Sequence, residues 1–165
     1  LLWPRAPTPD LWISDGGANA AFSRDRRAVT VRPGVRTYAV DMWARRRGLA
    51  PVDRGTEGWI CTRQACAPTA PDVSPVALWW ARAAPGHDQL DSLCRSAPVV
   101  SVRAVVPALP TSCQGRLVLD GVDHARGGAV ELWRDASGWR AVWTADVRGN
   151  RPWTPPVATV SDSGE

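Results

Sequence analysis

LWISDGGANAAFSRDRRAVTVRPGVRTYAVDMWARRRG, residues 11–48, carries the change of period that decides the fold class. Its first half holds short apolar runs, Leu11-Trp12-Ile13, Ala20-Ala21-Phe22 and Ala28-Val29-Thr30-Val31. They are broken by Asp15-Gly16-Gly17 and by the charged Ser23-Arg24-Asp25-Arg26-Arg27. Short apolar runs separated by glycine and charge are the pattern of a β-meander. From Thr37 to Arg47 the period changes: Val35, Ala39, Met42 and Trp43 fall at helical spacing, Thr37 can cap, and Gly48 stands where a left-handed stop belongs. Arg45-Arg46-Arg47 then occupies the last helical turn, where cations offset the carbonyl end of the helix dipole by about 0.3–1 kcal/mol.

Downstream, strands are predicted at 59–62, 76–82, 99–106, 116–119, 130–133 and 139–144, with a Pro-rich connection between the first two. Asp135-Ala136-Ser137-Gly138 reads as the hairpin turn of the last pair. A second helix is predicted over 88–95, where Leu90, Leu93 and Cys94 share a face and Asp88 and Asp91 favour the N-terminal half. Strands mixed with about two helices give an α/β or α+β fold, a mixed β-sheet sandwich. Residues 1–9, with three prolines, read as a linker, 10–154 as a single globular domain, and 155–165 as a polar tail. With no initiating Met and no leader, the 165-residue chain reads as a piece of a longer polypeptide. Its longest apolar runs fall far short of the ~20 residues that span a bilayer.

All 20 basic residues are Arg and the net charge is +4. That composition is first a mark of GC-rich coding, but it permits loose association with a polyanion, which draws on summed charge rather than a motif. Ten Trp stand against one Phe and one Tyr. Trp12, Trp59, Trp79, Trp133, Trp139 and Trp143 sit in strand-like runs, which predicts a space-filling role for most of them.

No constellation for chemistry emerges. His87 and His124 stand apart, Asp120, Asp123 and His124 make a weak ligand set in a turn, and Ser101 and Ser112 lack a nucleophile elbow. Gly16-Gly17 and Gly127-Gly128 are isolated turn pairs, not a phosphate loop. Accordingly no catalytic residue, metal ligand or cofactor is assigned. Four cysteines, Cys61, Cys66, Cys94 and Cys113, allow three pairings that sequence does not choose among, and disulfides, free buried thiols and a metal site all stay open. The pairing we expect joins Cys61 to Cys66 and Cys94 to Cys113, each within a segment that local folding closes, in an oxidising compartment.

Several segments follow one another along the chain: Pro9-Asp10-Leu11-Trp12-Ile13-Ser14-Asp15-Gly16-Gly17, Val40-Asp41-Met42-Trp43-Ala44-Arg45, Gly58-Trp59-Ile60-Cys61 with Cys66, and Cys94 before Pro98-Val99-Val100-Ser101. Pro110-Thr111-Ser112-Cys113, Leu117-Val118-Leu119-Asp120, Gly127-Gly128-Ala129-Val130-Glu131-Leu132-Trp133 and Asn150-Arg151-Pro152-Trp153 follow. In this order they resemble the C-terminal domain of the ComEC competence family, polytopic inner-membrane proteins that pass one DNA strand into the cytoplasm during natural transformation. The resemblance implies a periplasmic domain similar to metallo-β-lactamases, but the family's metal ligands have no counterparts here. A degenerate, non-catalytic version is therefore expected, with the channel portion of the same polypeptide and other competence proteins as partners. A metal-dependent phosphodiesterase using Asp120, Asp123 and His124, or an unrelated disulfide-stapled envelope domain, are the competing readings. If the domain touches DNA, weakly and without sequence preference, the candidates are Arg24, Arg26, Arg27, Arg45, Arg46, Arg47, Arg148, Arg151 and Trp153, since Arg binds phosphate and Trp stacks on unpaired bases.

Overall fold

Asp25 and Arg26 turn the chain with φ of 48° and 60°, the left-handed pair that a two-residue mirror-image hairpin turn requires. In the computed structural model, which describes residues 7–32, 34–35 and 38–149, this turn pairs Arg24 with Arg27 and joins β2 (Ala20–Arg24) to β3 (Arg27–Thr30). Before them runs β1 (Leu11–Ile13); after them come α1 (Tyr38–Arg47) and β4 (Ala50–Asp53). The chain continues through β5 (Trp59–Cys61), β6 (Ala65–Pro68), β7 (Val76–Trp79), α2 (His87–Ser96), β8 (Val99–Val102) and β9 (Leu117–Leu119). It then forms α3 (Gly121–Gly127), β10 (Val130–Asp135), β11 (Gly138–Trp143) and α4 (Thr144–Arg148).

Two mixed sheets result. One has the order β11-β10-β1-β2-β3-β4, the other β5-β6-β7-β8-β9. In the first, only β3 and β4 are parallel, with α1 as their crossover; in the second, β7, β8 and β9 are parallel. Leu11, Ile13, Phe22, Val76, Leu78, Val99, Val130 and Leu132 fill the space between the sheets. On the outer face of the first sheet, Val40, Trp43 and Ala44 of α1 cover Trp12, Ala21 and Ala28. On that of the second, Leu90, Leu93 and Cys94 of α2 cover Ala77, Trp79, Val100 and Val102. The molecule is thus a four-layer α/β/β/α sandwich, an α+β fold with mixed sheets. Fully burying one Leu or Val contributes about 1.5–3 kcal/mol, so these three apolar clusters hold the layers together.

The differences from the sequence reading are local. There are four helices among the described residues, not about two. The segment read as a turn around His124 is α3, because Asp120 accepts hydrogen bonds from the Val122 and Asp123 amides while Asp123 reaches back to the Asp120 amide, a reciprocal cap. The Pro-rich connection holds β6, which is paired on both sides. The strand expected over 99–106 stops at Val102, and Val105 is exposed. The apolar face of α1 runs through Val40, Trp43 and Ala44, leaving Met42 exposed, since Trp43 supplies the large ring that stacks on Trp12 at 6.0 Å. The expected cap Thr37 lies outside the described residues, as do most of the linker and the whole polar tail. No described helix is long and apolar enough to cross a membrane.

Candidate functional site

The two ends of the first sheet differ in chemistry. At the β2–β3 hairpin end the register brings Arg27 opposite Ala50, and the Ala50 amide donates to the Arg26 carbonyl at 3.0 Å. Because Ala50 follows Gly48 and Leu49 at the end of α1, the two predicted basic clusters, Arg24 to Arg27 and Arg45 to Arg47, meet at one place. β10 adds Arg134, whose amide donates to Asp10, and β11 adds Arg140, paired in register with Trp133.

Within this end the arginines have different jobs. Arg47 and Trp43 both donate to Oε1 of Glu131 at 2.8 Å, and Arg47 also pairs with Oε2. Arg24 donates to the Asp72 carbonyl at 2.5 Å and lies over the Phe22 ring. Both therefore brace the fold as well as carrying charge. Arg26, Arg27, Arg45 and Arg46 are exposed, and no described acid pairs with any of them. Two guanidiniums lie over the Trp133 ring, Arg140 at 4.6 Å and Arg47 at 5.7 Å from its centre, and Arg134 lies 5.9 Å from that of Trp139. Cation–π contacts of this sort are worth about 0.5–1 kcal/mol at exposed positions. Trp139 packs against the core between the sheets, the space-filling role expected of it, whereas the half-buried Trp133 packs against none of the three clusters and lies against arginines instead. The signal that would have found this is the alternation Trp133-Arg134 against Trp139-Arg140 across the hairpin.

Arg148 ends α4 at the other end of the sheet, beyond the pairing of Trp143 with Val130, so it does not join the cluster. Arg151 and Trp153 lie outside the described residues. A cleft of about 280 Å³ beside the hairpin is lined by Arg24, Arg27 and Arg54 but also by Asp25, Asp53 and Glu57. Its charges balance, so it is no anion pocket.

At the opposite end of the sandwich, where the parallel strands β8 and β9 finish, α3 and the short 3-10 turn at Asp15–Gly17 converge. Open α/β sheets commonly bind ligands outside such strand ends. Here the space is filled. His124, 2% exposed, shares a 3.1 Å hydrogen bond from Nε2 with the fully buried Ser101 hydroxyl. Trp143 meets the imidazole edge-on at 5.9 Å. A methyl group on Gly17 would stand 2.5 Å from Nε2. Burial pushes the His124 pKa down, against the opposing pull of Asp123, the Gly128 backbone, Asp120 and Asp15, which favours the neutral ring. Nδ1 has no hydrogen-bond partner among the described residues. Asp120 is occupied by the cap of α3 and by the Val106 amide at 2.9 Å. No three His, Cys, Asp or Glu side chains among the described residues gather as a metal-holding group.

The cysteines pair as Cys61–Cys66 and Cys94–Cys113, and no free cysteine remains. No protein-family model matches the chain, and neither a curated protein nor a solved structure matches it.

Proposed function

We propose that this chain is a non-catalytic, periplasmic C-terminal domain of a ComEC-type inner-membrane competence protein, and that it meets the incoming DNA during natural transformation. The observation that carries the reading is the meeting of Arg26 and Arg27 with Arg45 and Arg46 at one end of the first sheet, on whose α1 side the Trp133 ring lies against Arg47 and Arg140. Exposed cations follow a phosphate backbone of any sequence. The filled space around His124 supports a role without hydrolysis, and two intramolecular disulfides suit an oxidising compartment. The order of sequence segments set out above supports the family assignment, with the membrane channel elsewhere in the polypeptide.

Fluorescence anisotropy with a labelled single-stranded oligonucleotide tests the DNA reading. Affinity is expected to fall steeply and log-linearly with salt; affinity that does not fall, or no binding at low salt, refutes it. The coding sequence upstream of Leu1 tests the family reading, which requires several apolar spans of about 20 residues.

A further inference from the structure

Cys61 and Cys66 face each other across β5 and β6, with 4.1 Å between their α-carbons. Their surroundings are unequal: Cys61 is exposed, whereas Cys66 is fully buried between the sheets. Arg54, just past β4, lays its guanidinium on both sulfurs, with Nη2 at 2.7 Å from Cys61 Sγ and 3.1 Å from Cys66 Sγ. That guanidinium is fixed from several sides. Nε donates to the Val31 carbonyl at 2.6 Å, Nη1 to the Gly55 carbonyl at 2.8 Å, and Trp59 lies beneath it at 4.6 Å. The other disulfide has none of this. Cys94 and Cys113 are both buried among Leu90, Leu93, Ala97 and Val100, and no described cation bonds to either sulfur.

Thiol–disulfide exchange needs an accessible sulfur to attack and a leaving sulfur whose thiolate is stabilised. A cation beside a cysteine lowers its thiol pKa and so improves it as a leaving group. We propose that Cys61–Cys66 is a thiol-exchange site for an external dithiol, with Cys61 the sulfur attacked and Cys66 the leaving sulfur held by Arg54, while Cys94–Cys113 stays closed. A donor thiolate forms a bond to Cys61 Sγ as the Cys61–Cys66 bond breaks, and the electron pair passes to Cys66 as a thiolate against the guanidinium. The donor's second thiolate then attacks the donor sulfur of this mixed disulfide and releases Cys61. The protein disulfide is reduced by two electrons, the dithiol is oxidised to its disulfide, and the dithiol's two protons are left for Cys61 and Cys66. This site is independent of any role in binding DNA.

The test is timed reduction of the native protein by dithiothreitol, with alkylation and peptide mass spectrometry. Cys61 and Cys66 are expected to label at least about tenfold faster than Cys94 and Cys113, given the difference in access. With reduced glutathione in place of the dithiol, the mixed disulfide is expected on Cys61. Arg54→Gln is expected to slow opening roughly threefold or more by raising the Cys66 thiol pKa. Equal opening of the two disulfides, a glutathione adduct on Cys66, or an unchanged rate in R54Q overturns the proposal. Should R54Q fail to fold, the two measurements on the unaltered protein decide it.

Discussion

Gly17 is packed so closely against His124 that a methyl group at its α-carbon would stand 2.5 Å from the imidazole Nε2 and 3.2 Å from the Ser101 hydroxyl. Glycine is required twice over, because the same residue holds φ of +65°. For a residue with a β-carbon the left-handed backbone costs about 1–2 kcal/mol, and forcing a methyl into a filled core costs about 1–3 kcal/mol more. Gly17→Ala is therefore expected to lower stability by roughly 2–5 kcal/mol in urea unfolding. Gly16→Ala, where a new methyl meets nothing within 4 Å, isolates the backbone part and is expected to cost less.

Burial of His124 sets a pH dependence. Its pKa is lowered in the folded protein, so on acidification the unfolded chain takes up a proton near pH 6.5 while the folded one resists. The unfolded state then binds more protons, and stability falls as pH drops below that value, by up to about 1.4 kcal/mol per pH unit. Between pH 7.5 and 5.5 the protein is therefore expected to lose stability through this group. His124→Gln is expected to remove that slope, read as the difference between unfolding curves at the two pH values. Equal slopes in the two proteins would show that His124 is not the group responsible.

The buried disulfide is a separate staple. Cys94 and Cys113 lie 19 residues apart and tie the end of α2 to the short turn at Thr111–Cys113. Closing a loop of that length constrains the unfolded chain by about 3 kcal/mol. The double variant Cys94→Ala/Cys113→Ala is expected to lose about that much in denaturant unfolding under non-reducing conditions. The core sites accept Ala without an unpaired polar atom, so a much larger loss would mean that packing, not the covalent tie, dominates there.

Much of the architecture was legible because periodicity reports burial. Leu90, Leu93 and Cys94 were read on one helical face and are buried together, and the Asp135–Gly138 hairpin forms at the expected place. What escaped reading has a physical reason in each case. The cap of α3 depends on two aspartates bonding each other's backbone, and with only seven residues the helix shows no apolar period. β6 reads as a Pro-rich connection, and its pairing on both sides is a tertiary fact. The site was legible only as scattered basic clusters. That two of them meet follows from the parallel register of β3 and β4, and Arg54, which bridges the sheets at a disulfide, carries no sequence signal at all. His124 was visible as a lone histidine, but its burial against Gly17 needed the fold.

The register that joins the basic clusters also tells which arginines to change. Arg24 and Arg47 hold the Asp72 carbonyl and Glu131, so altering them confounds binding with folding. Arg26, Arg27, Arg45 and Arg46 are exposed and unpaired by any described acid, and Arg26→Asn suits its left-handed backbone better than Ala does. Each phosphate contact to a single strand adds about 0.7 to the slope of log affinity against log salt. If all four arginines touch phosphate, the variant R26N/R27A/R45A/R46A is expected to lower that slope by roughly 2–3, with little change in its unfolding curve. Arg148→Ala, at the far end of the sheet, is expected to leave the slope alone. A slope untouched by the quadruple variant, or lowered as much by R148A, would mean that DNA is held by overall charge and that the meeting of the two clusters has no part in it.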